Sequence, residues 1–156
     1  MSTQNTFMNE ALQEAKHAFE QGEVPVGAVV VRNNEIIARA SNKIITLKDP
    51  TAHAEVIAIR EAAKSLGNER LIDCDLYVTL EPCAMCAGAI SLARVRSVVF
   101  GALDSKGGGV IHGPRFFEQE TCHHRPHVES GVLAQECGQL LKTFFQNLRQ
   151  KKRDKI

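Results

Sequence analysis

Apolar positions recur with two different spacings along the chain, and these spacings predict helices alternating with strands. Near the start they recur every three or four residues, which predicts an amphipathic helix that ends at Gly22. Residues 24–31 are mostly β-branched and nearly continuously apolar, so they predict a strand buried on both faces. The polar residues 32–35, followed by Ile36 and Ile37, predict a hairpin.

The same alternation continues to the end of the chain. Residues 49–51 (Asp-Pro-Thr) predict a helix start, because their side-chain oxygens can cap free N–H groups. One repeating apolar face of that helix comprises Val56, Ile59, Ala63 and Leu66. The remaining pattern predicts, in order, a strand at 76–80, a helix at 84–92, a strand at 95–100, a long glycine-rich loop at 105–122 and a helix at 133–148.

This order of elements favours a three-layer α/β/α sandwich around a mixed sheet. The length of 156 residues suits one domain, so we expect 1–156 to form a single unit. With 44% apolar and 24% charged residues the chain is an ordinary globular protein, which excludes disordered and fibrous classes. A net charge of +1 gives no global indication of nucleic-acid binding, so any such surface would be local.

The absence of membrane and secretory signals indicates where the protein is located, and this location bears on the state of its cysteines. No apolar run approaches the roughly 20 residues needed to cross a bilayer, and residues 1–19 lack the charge pattern of a secretory signal. We therefore expect a cytoplasmic protein. Its five cysteines are an odd number and favour metal binding or burial over a disulfide framework.

Two short segments, 51–55 and 81–86, carry the candidate chemistry. Cys83 and Cys86 lie three apart in the first turn of a predicted helix, where the helix dipole favours the thiolate that binds zinc. This pair alone would equally suit a redox dithiol. His53 adds a third ligand suited to zinc. Three protein ligands leave one tetrahedral position open for water, as catalytic zinc sites do.

Glu55 makes the catalytic interpretation specific. It stands two positions after His53, where its carboxylate can take a proton from a water in the open position and pass it on. The order His-x-Glu followed by Pro-Cys-x-x-Cys is the signature of zinc-dependent nucleobase deaminases. We therefore predict His53, Cys83 and Cys86 as metal ligands and Glu55 as the catalytic residue.

Longer stretches at 23–28, 49–55 and 76–90 resemble the bacterial tRNA-specific adenosine deaminases of the cytidine/deoxycytidylate deaminase superfamily. The resemblance covers nearly the whole chain. It implies a cytidine-deaminase-like fold with a mixed five-stranded sheet, one Zn²⁺ per subunit and a homodimer. It also implies hydrolytic deamination of the wobble adenosine in a tRNA anticodon to inosine, carried out by a single deaminase domain.

The resemblance further implies a set of substrate-binding residues. These are Asn42 at the target nucleoside, Val26 and Leu80 in the pocket wall, Asp104 near the sugar, and Phe144, Phe145 and Arg149 along the RNA. Helical spacing alone places Phe144 and Phe145 at least partly in the core, with one of them available to stack on a base.

One region departs from the family pattern and keeps alternatives open. The loop 107–117 and the triplet 123–125 (His-His-Arg) differ from the Gly-Ala-Gly-Ser and Asn-His-Arg sequences of many members. A deaminase of a free base or nucleoside, of guanine, cytosine or cytidine type, would share the zinc motif entirely. A zinc-stabilised RNA-binding module without catalysis is a further alternative, but it leaves Glu55 unexplained.

Overall fold

Five strands form one mixed sheet, in the order β2-β1-β3-β4-β5, with two helices on each face. The computed structural model describes residues 2–155. Its elements are α1 Thr3–Glu20, β1 Gly27–Arg32, β2 Glu35–Ser41, α2 Ala54–Leu66, β3 Cys74–Leu80, α3 Ala84–Ala93, β4 Ser97–Ala102, a 3-10 turn Phe116–Glu118, β5 His127–Ser130 and α4 Ala134–Asp154. The predicted three-layer sandwich with a mixed five-stranded sheet is confirmed. No helix within the described residues is long and apolar enough to cross a membrane.

The strand directions bring the ends of four strands to one edge of the sheet. β3, β4 and β5 are parallel, so β3 and β4 both end at this edge. β1 is antiparallel to β2 and β3, so it starts there, and β2 returns there. A hydrogen bond of 3.1 Å from the Asn42 N–H to the Val26 carbonyl joins the end of this hairpin to its beginning. Loops from four strands therefore meet at one place.

The sheet separates two apolar cores. Ala28 and Val30 of β1 face α2 and α3, while Val29 and Val31 face α1 and α4. Because all four side chains are at most 3% exposed, the prediction that this strand is buried on both faces is confirmed. The hairpin is also confirmed, and Asn33 and Asn34 at its turn have positive φ angles of 53° and 63°.

The strand boundaries differ from the predictions by up to three residues, and β3 and β4 begin at Cys74 and Ser97 rather than at 76 and 95. β1 begins at Gly27 rather than at residue 24, because Pro25 cannot donate to a ladder and Val24 and Val26 line a cavity instead. β4 continues through Gly101 instead of closing there. A Cβ at Gly101 would lie 2.6 Å from Cys137 Sγ, so the glycine lets α4 pack directly on the strand.

Helix α2 starts and packs differently from the sequence prediction. It begins at Ala54, and the Asn42 side-chain carbonyl accepts the Ala54 N–H at 2.7 Å. Asp49 caps only its own turn, through the backbone and hydroxyl of Thr51. The core face of α2 is made of Ala54, Glu55, Ala58 and Ala62. The predicted apolar face, from Val56 to Leu66, is only half-buried.

Gly27→Ala should destabilise the fold by about 3 kcal/mol or more, since overpacking against immovable backbone is costly. A Cβ at Gly27 would lie 2.1 Å from the Ala11 carbonyl oxygen and 2.4 Å from the Ala15 nitrogen of α1. The matched control is Gly138→Ala, where the nearest atom is 4.0 Å away. This helical substitution should be neutral or stabilise by about 0.5–1 kcal/mol. Urea unfolding measures both, and equal midpoints for the two variants would contradict the packing argument.

Candidate active site

Three soft donor atoms meet where α2 and α3 begin. His53 is the residue before α2, Cys83 is the residue before α3, and Cys86 lies in the first turn of α3. His53 Nδ1 lies 3.7 Å from Cys83 Sγ and 3.5 Å from Cys86 Sγ. Tetrahedral zinc with ordinary bond lengths holds such nitrogen and sulfur atoms about 3.6 Å apart. The donor set and its spacing therefore fit one Zn²⁺.

Within residues 2–155, no other group of three histidine, cysteine or acidic side chains converges in this way. The redox-dithiol alternative left open by the Cys-x-x-Cys spacing does not account for the imidazole between the two sulfurs. The His53 ring also hydrogen-bonds the Pro50 backbone, which orients the imidazole toward the two thiols.

The electrostatics of the cysteine pair favour metal binding. A hydrogen bond from the Cys86 thiol lowers the pKa of Cys83 to about 4, and the His53 ring contributes in the same direction. The same bond, together with burial, raises the pKa of Cys86. The pair thus holds one thiolate readily, and zinc replaces the remaining thiol proton when it binds.

Glu55 is the second residue of α2 and lies beside these donors. Only 4% of the residue is exposed, and it lines the same cavity as His53 and Cys83. Burial disfavours its charged form and raises the pKa of Glu55 to about 7. A carboxyl with such a pKa can both accept and donate a proton near neutral pH.

The donors open onto a cavity of about 290 Å³, at the small end of the range for ligand pockets. It is lined by Val24, Val26, Asn42, Ile44, His53, Glu55, Leu80, Glu81, Cys83, Asp104 and Gly107. Four of the predicted substrate residues, Val26, Asn42, Leu80 and Asp104, are therefore in its wall. Their contacts with a substrate stay predictions.

The polar side chains among those four already bind backbone. Asn42 Oδ1 accepts the Ala54 N–H, as described above. Asp104 Oδ1 accepts the N–H groups of Lys106 and Gly107, at 3.1 and 2.9 Å. Both side chains therefore shape the pocket wall whether or not they also contact a substrate.

The three predicted residues of α4 lie outside the cavity wall. Phe144 is half-buried, and its ring meets that of Phe19 edge-on with centroids 5.7 Å apart. Phe145 is 40% exposed, and Arg149, four residues later on the same helical face, is exposed. The Phe145 ring also meets Phe144 edge-on, with centroids 5.4 Å apart, and it is the more exposed of the two rings. RNA contact by all three residues stays a prediction.

Sequence reasoning missed two buried acids that shape the pocket. Glu23 accepts the N–H groups of Ile45 and Thr46 and the Thr46 hydroxyl, at 2.7–3.1 Å, and so holds the loop that carries Ile44. Glu81 accepts N–H groups from the loop that carries Asp104. The sequence signal that could have found them is a glutamate one or two residues before a proline in an apolar stretch. A carboxyl group that is buried in such a stretch needs hydrogen-bond donors.

Hydrogen bonding decides the charge of both acids. Burial by itself would raise each pKa, but the donated N–H groups outweigh it. The pKa of Glu23 is lowered, and that of Glu81 is lowered to about 2. Both side chains are therefore carboxylates at neutral pH, in contrast to Glu55.

Comparison with known proteins places this site in a family. The family model for the cytidine and deoxycytidylate deaminase zinc-binding region matches residues 1–102, which include all three donors and Glu55. The tRNA-specific adenosine deaminase of Agrobacterium fabrum is 52% identical, covering 96% of this chain and 98% of its own. The chain belongs to the tRNA-specific adenosine deaminase family. It is accordingly a zinc-dependent hydrolytic deaminase that uses one Zn²⁺ per subunit.

Solved structures agree with this family. A structure from a study of A-to-I editing by tRNA:A34 deaminases superimposes with a TM-score of 0.85 and 54% identity, covering 86% of this chain and 98% of that one. The guanine deaminase of Bacillus subtilis is 47% identical with a TM-score of 0.61, covering 63% of each chain. The chain thus shares its fold with an enzyme named for another purine.

Cys83→Ala should leave the protein folded but with zinc far below the stoichiometric amount, because it removes one of three ligands. Metal content after gel filtration, measured by inductively coupled plasma mass spectrometry, checks this. Cys74→Ala is the matched control, since Cys74 is a buried free cysteine outside the cluster. Stoichiometric zinc in Cys83→Ala would remove Cys83 from the ligand set.

Proposed function

We propose that this protein converts the wobble adenosine of a tRNA anticodon to inosine by hydrolytic deamination, with residues 1–156 acting as one zinc-dependent deaminase domain. The observation that carries the proposal is the buried Glu55 carboxyl beside the three donors, in a cavity with the volume of a small-ligand pocket. Relatives at about 50% identity are named tRNA-specific adenosine deaminases, and the solved structure at 54% identity comes from a study of A-to-I editing at the wobble position. A non-catalytic zinc module would give no reason to bury a carboxyl there.

The proposed chemistry assigns one shuttling role to Glu55. A zinc ion held by His53, Cys83 and Cys86 would lower the pKa of water at the site from about 15.7 to roughly 7. Glu55 would accept one proton of the attacking water and deliver it to the purine ring nitrogen next to C6. As the water oxygen bonds to C6, Glu55 would carry the second proton to the amino group, and the C6–N bond would break to release ammonia.

The cavity walls suit a single base turned out of a loop. Val26 and Leu80 supply apolar surface for the faces of a purine, while Asn42 and Asp104 supply polar groups at its edge. An anticodon base is already unpaired, so turning it out costs little. Any larger part of the tRNA would have to lie outside the 290 Å³ cavity.

We propose that one face of α4 receives the RNA outside the cavity. Phe145 is exposed for stacking, and Arg149 lies four residues on. The helix continues into Lys151, Lys152 and Arg153, a local positive charge in a nearly neutral protein. Aromatic stacking with phosphate neutralisation is a common way to hold single-stranded RNA.

We further propose a homodimer in the cytoplasm, where tRNA is processed. A shallow apolar groove of about 440 Å³ lies between α2 and α3 and includes Val56, Ile59, Ala63 and Leu92. Leu92, in the wall of this groove, is 80% exposed. Exposed apolar surface of this kind marks interaction sites, and a second copy would cover it.

Deamination of a free base is the second candidate function. The 47% identity to a guanine deaminase, over 63% of the chain, favours it, as do the residues of loop 107–117 that depart from the family pattern. The two candidates share the zinc site and differ in what fills the cavity. A substrate panel therefore separates them.

Glu55→Gln should retain stoichiometric zinc and lose about a hundredfold to ten-thousandfold in turnover, because its amide cannot shuttle protons. The assay follows inosine formation in an adenosine-containing anticodon stem-loop, with zinc measured in parallel. Glu61→Gln, an exposed acid on the same helix, is the matched control and should keep wild-type turnover. Near-normal turnover in Glu55→Gln would exclude the proposed proton path.

The wild-type protein is assayed in the same series against free guanine, cytosine, adenosine and cytidine. Inosine in the RNA with no change in the small molecules supports the tRNA function. Ammonia released from a free base, with the RNA unaltered, would replace it with the second candidate.

Leu92→Asp should shift the protein from dimer to monomer in sedimentation velocity, because it places a charge on the proposed interface. Ile72→Asp, a control at a residue 51% exposed outside the groove, should leave the dimer intact. A dimer that survives Leu92→Asp would place the interface elsewhere. A monomeric wild type would exclude the dimer.

A further inference from the structure

Glu81 joins the zinc-binding turn to the loop over the cavity. It follows β3 directly and lies two residues before Cys83. Its side chain is fully buried. Within residues 2–155 no lysine or arginine lies within salt-bridge distance of it, and its side-chain partner is the His112 ring.

Five donors converge on the two carboxylate oxygens of Glu81. The Asp104 N–H and His112 Nδ1 meet Oε1 at 3.0 and 2.8 Å. Three consecutive N–H groups, from Val110, Ile111 and His112, meet Oε2 at 3.2, 2.9 and 3.0 Å. These contacts occupy the carboxylate, so Glu81 is not available to exchange protons with a substrate.

The loop is built tightly around this carboxylate. The Gly108 N–H donates to the Asp104 carbonyl at 2.9 Å, and the Gly109 N–H donates to the Pro82 carbonyl at 2.8 Å. A Cβ at Gly108 would lie 2.3 Å from Glu81 Oε2 and 2.5 Å from the Asp104 carbonyl oxygen. Only glycine fits there, because any side chain at this position would collide with the Glu81 carboxylate.

The same loop forms one wall of the substrate cavity. Asp104 and Gly107 line the cavity, and the N–H of Asp104 is one of the groups that Glu81 holds. The Asp104 side chain in turn holds the N–H of Gly107. A chain of hydrogen bonds therefore runs from Glu81 through Asp104 to the cavity surface.

We propose that Glu81 is a positioning residue that fixes the loop 104–112 as the wall gripping the target nucleoside, and so sets substrate affinity without entering the chemistry. This proposal rests on the proposed function. The negative charge is essential to it, because every partner is a donor. A glutamine would place its own NH₂ donor among N–H groups and leave some of them unpaired.

Glu81→Gln should raise KM for the anticodon stem-loop about tenfold, while kcat and zinc content change less than twofold, because one charged acceptor of several hydrogen bonds is lost. Gly108→Ala pushes the same loop away with Glu81 intact, because its Cβ would collide with Glu81 Oε2 and with the Asp104 carbonyl oxygen, and it should raise KM similarly. Since both variants displace the same loop from Glu81, the double variant should be little worse than either alone. Glu81→Asp, which keeps the charge, should recover part of the wild-type KM. Glu120→Gln, an exposed acid further along the chain, is the control and should match wild type.

Amide hydrogen exchange gives a readout independent of activity. The N–H groups of residues 104 and 110–112 should exchange faster in Glu81→Gln than in wild type, with α2 unchanged. Unaltered KM, a fall in kcat alone, loss of zinc, or additive effects in the double variant would each overturn the positioning role. If wild type fails to deaminate the stem-loop, the proposed function fails instead, and the exchange result still decides whether Glu81 holds the loop.

Discussion

The start of α2 beside the start of α3, at one edge of the sheet, is the constraint on which the site depends. Parallel β3 and β4 deliver Cys83 and Asp104 to that edge, and the antiparallel β1–β2 hairpin delivers Val26 and Asn42. Asn42 then caps the first turn of α2. The metal donors and the pocket wall are therefore positioned by the same few hydrogen bonds, and a shift of either helix would disturb both.

Three buried glutamates have different roles because their hydrogen-bond partners differ. Glu23 and Glu81 each accept several N–H groups, which keeps them ionised and makes them fixed points for loops on two sides of the cavity. Burial dominates at Glu55, and its pKa rises to about 7. The donated N–H groups thus decide which acids hold the structure together and which one remains able to move a proton.

The sequence allowed the zinc cluster and most of the elements to be predicted, because both depend on local spacing. Cys83 and Cys86 are three residues apart, and the strands show as short apolar runs.

What was missed depends on pairing between distant residues. The Asn42 cap on Ala54, the close approach of Cys137 to Gly101, and the Glu81 contacts with residues 104–112 join segments 12 to 36 positions apart. The short, mostly polar β5 is defined by its partner β4 rather than by its own pattern. Similarly, the predicted apolar face of α2 lies over the groove, while small alanines form its contact with the sheet.

Loop 107–117, whose sequence departs from the family pattern, is held mainly through backbone groups, which tolerate changes of side chain. Val110, Ile111 and His112 bind Glu81 through their backbone N–H groups, which any residue except proline can supply. Space restricts the loop at Gly108 and Gly109, where a Cβ would meet Glu81 and the backbone of Ala84 within 2.5 Å, and at Gly113, where it would lie 2.4 Å from the Gly108 carbonyl oxygen. The exposed side chains of Ile111, Pro114 and Arg115 can therefore differ between relatives while the cavity wall keeps its shape, whereas buried Val110 and the His112 ring on Glu81 are constrained. A divergent sequence at these positions is then a weak argument for a different substrate, and the residues that face the cavity carry the stronger one.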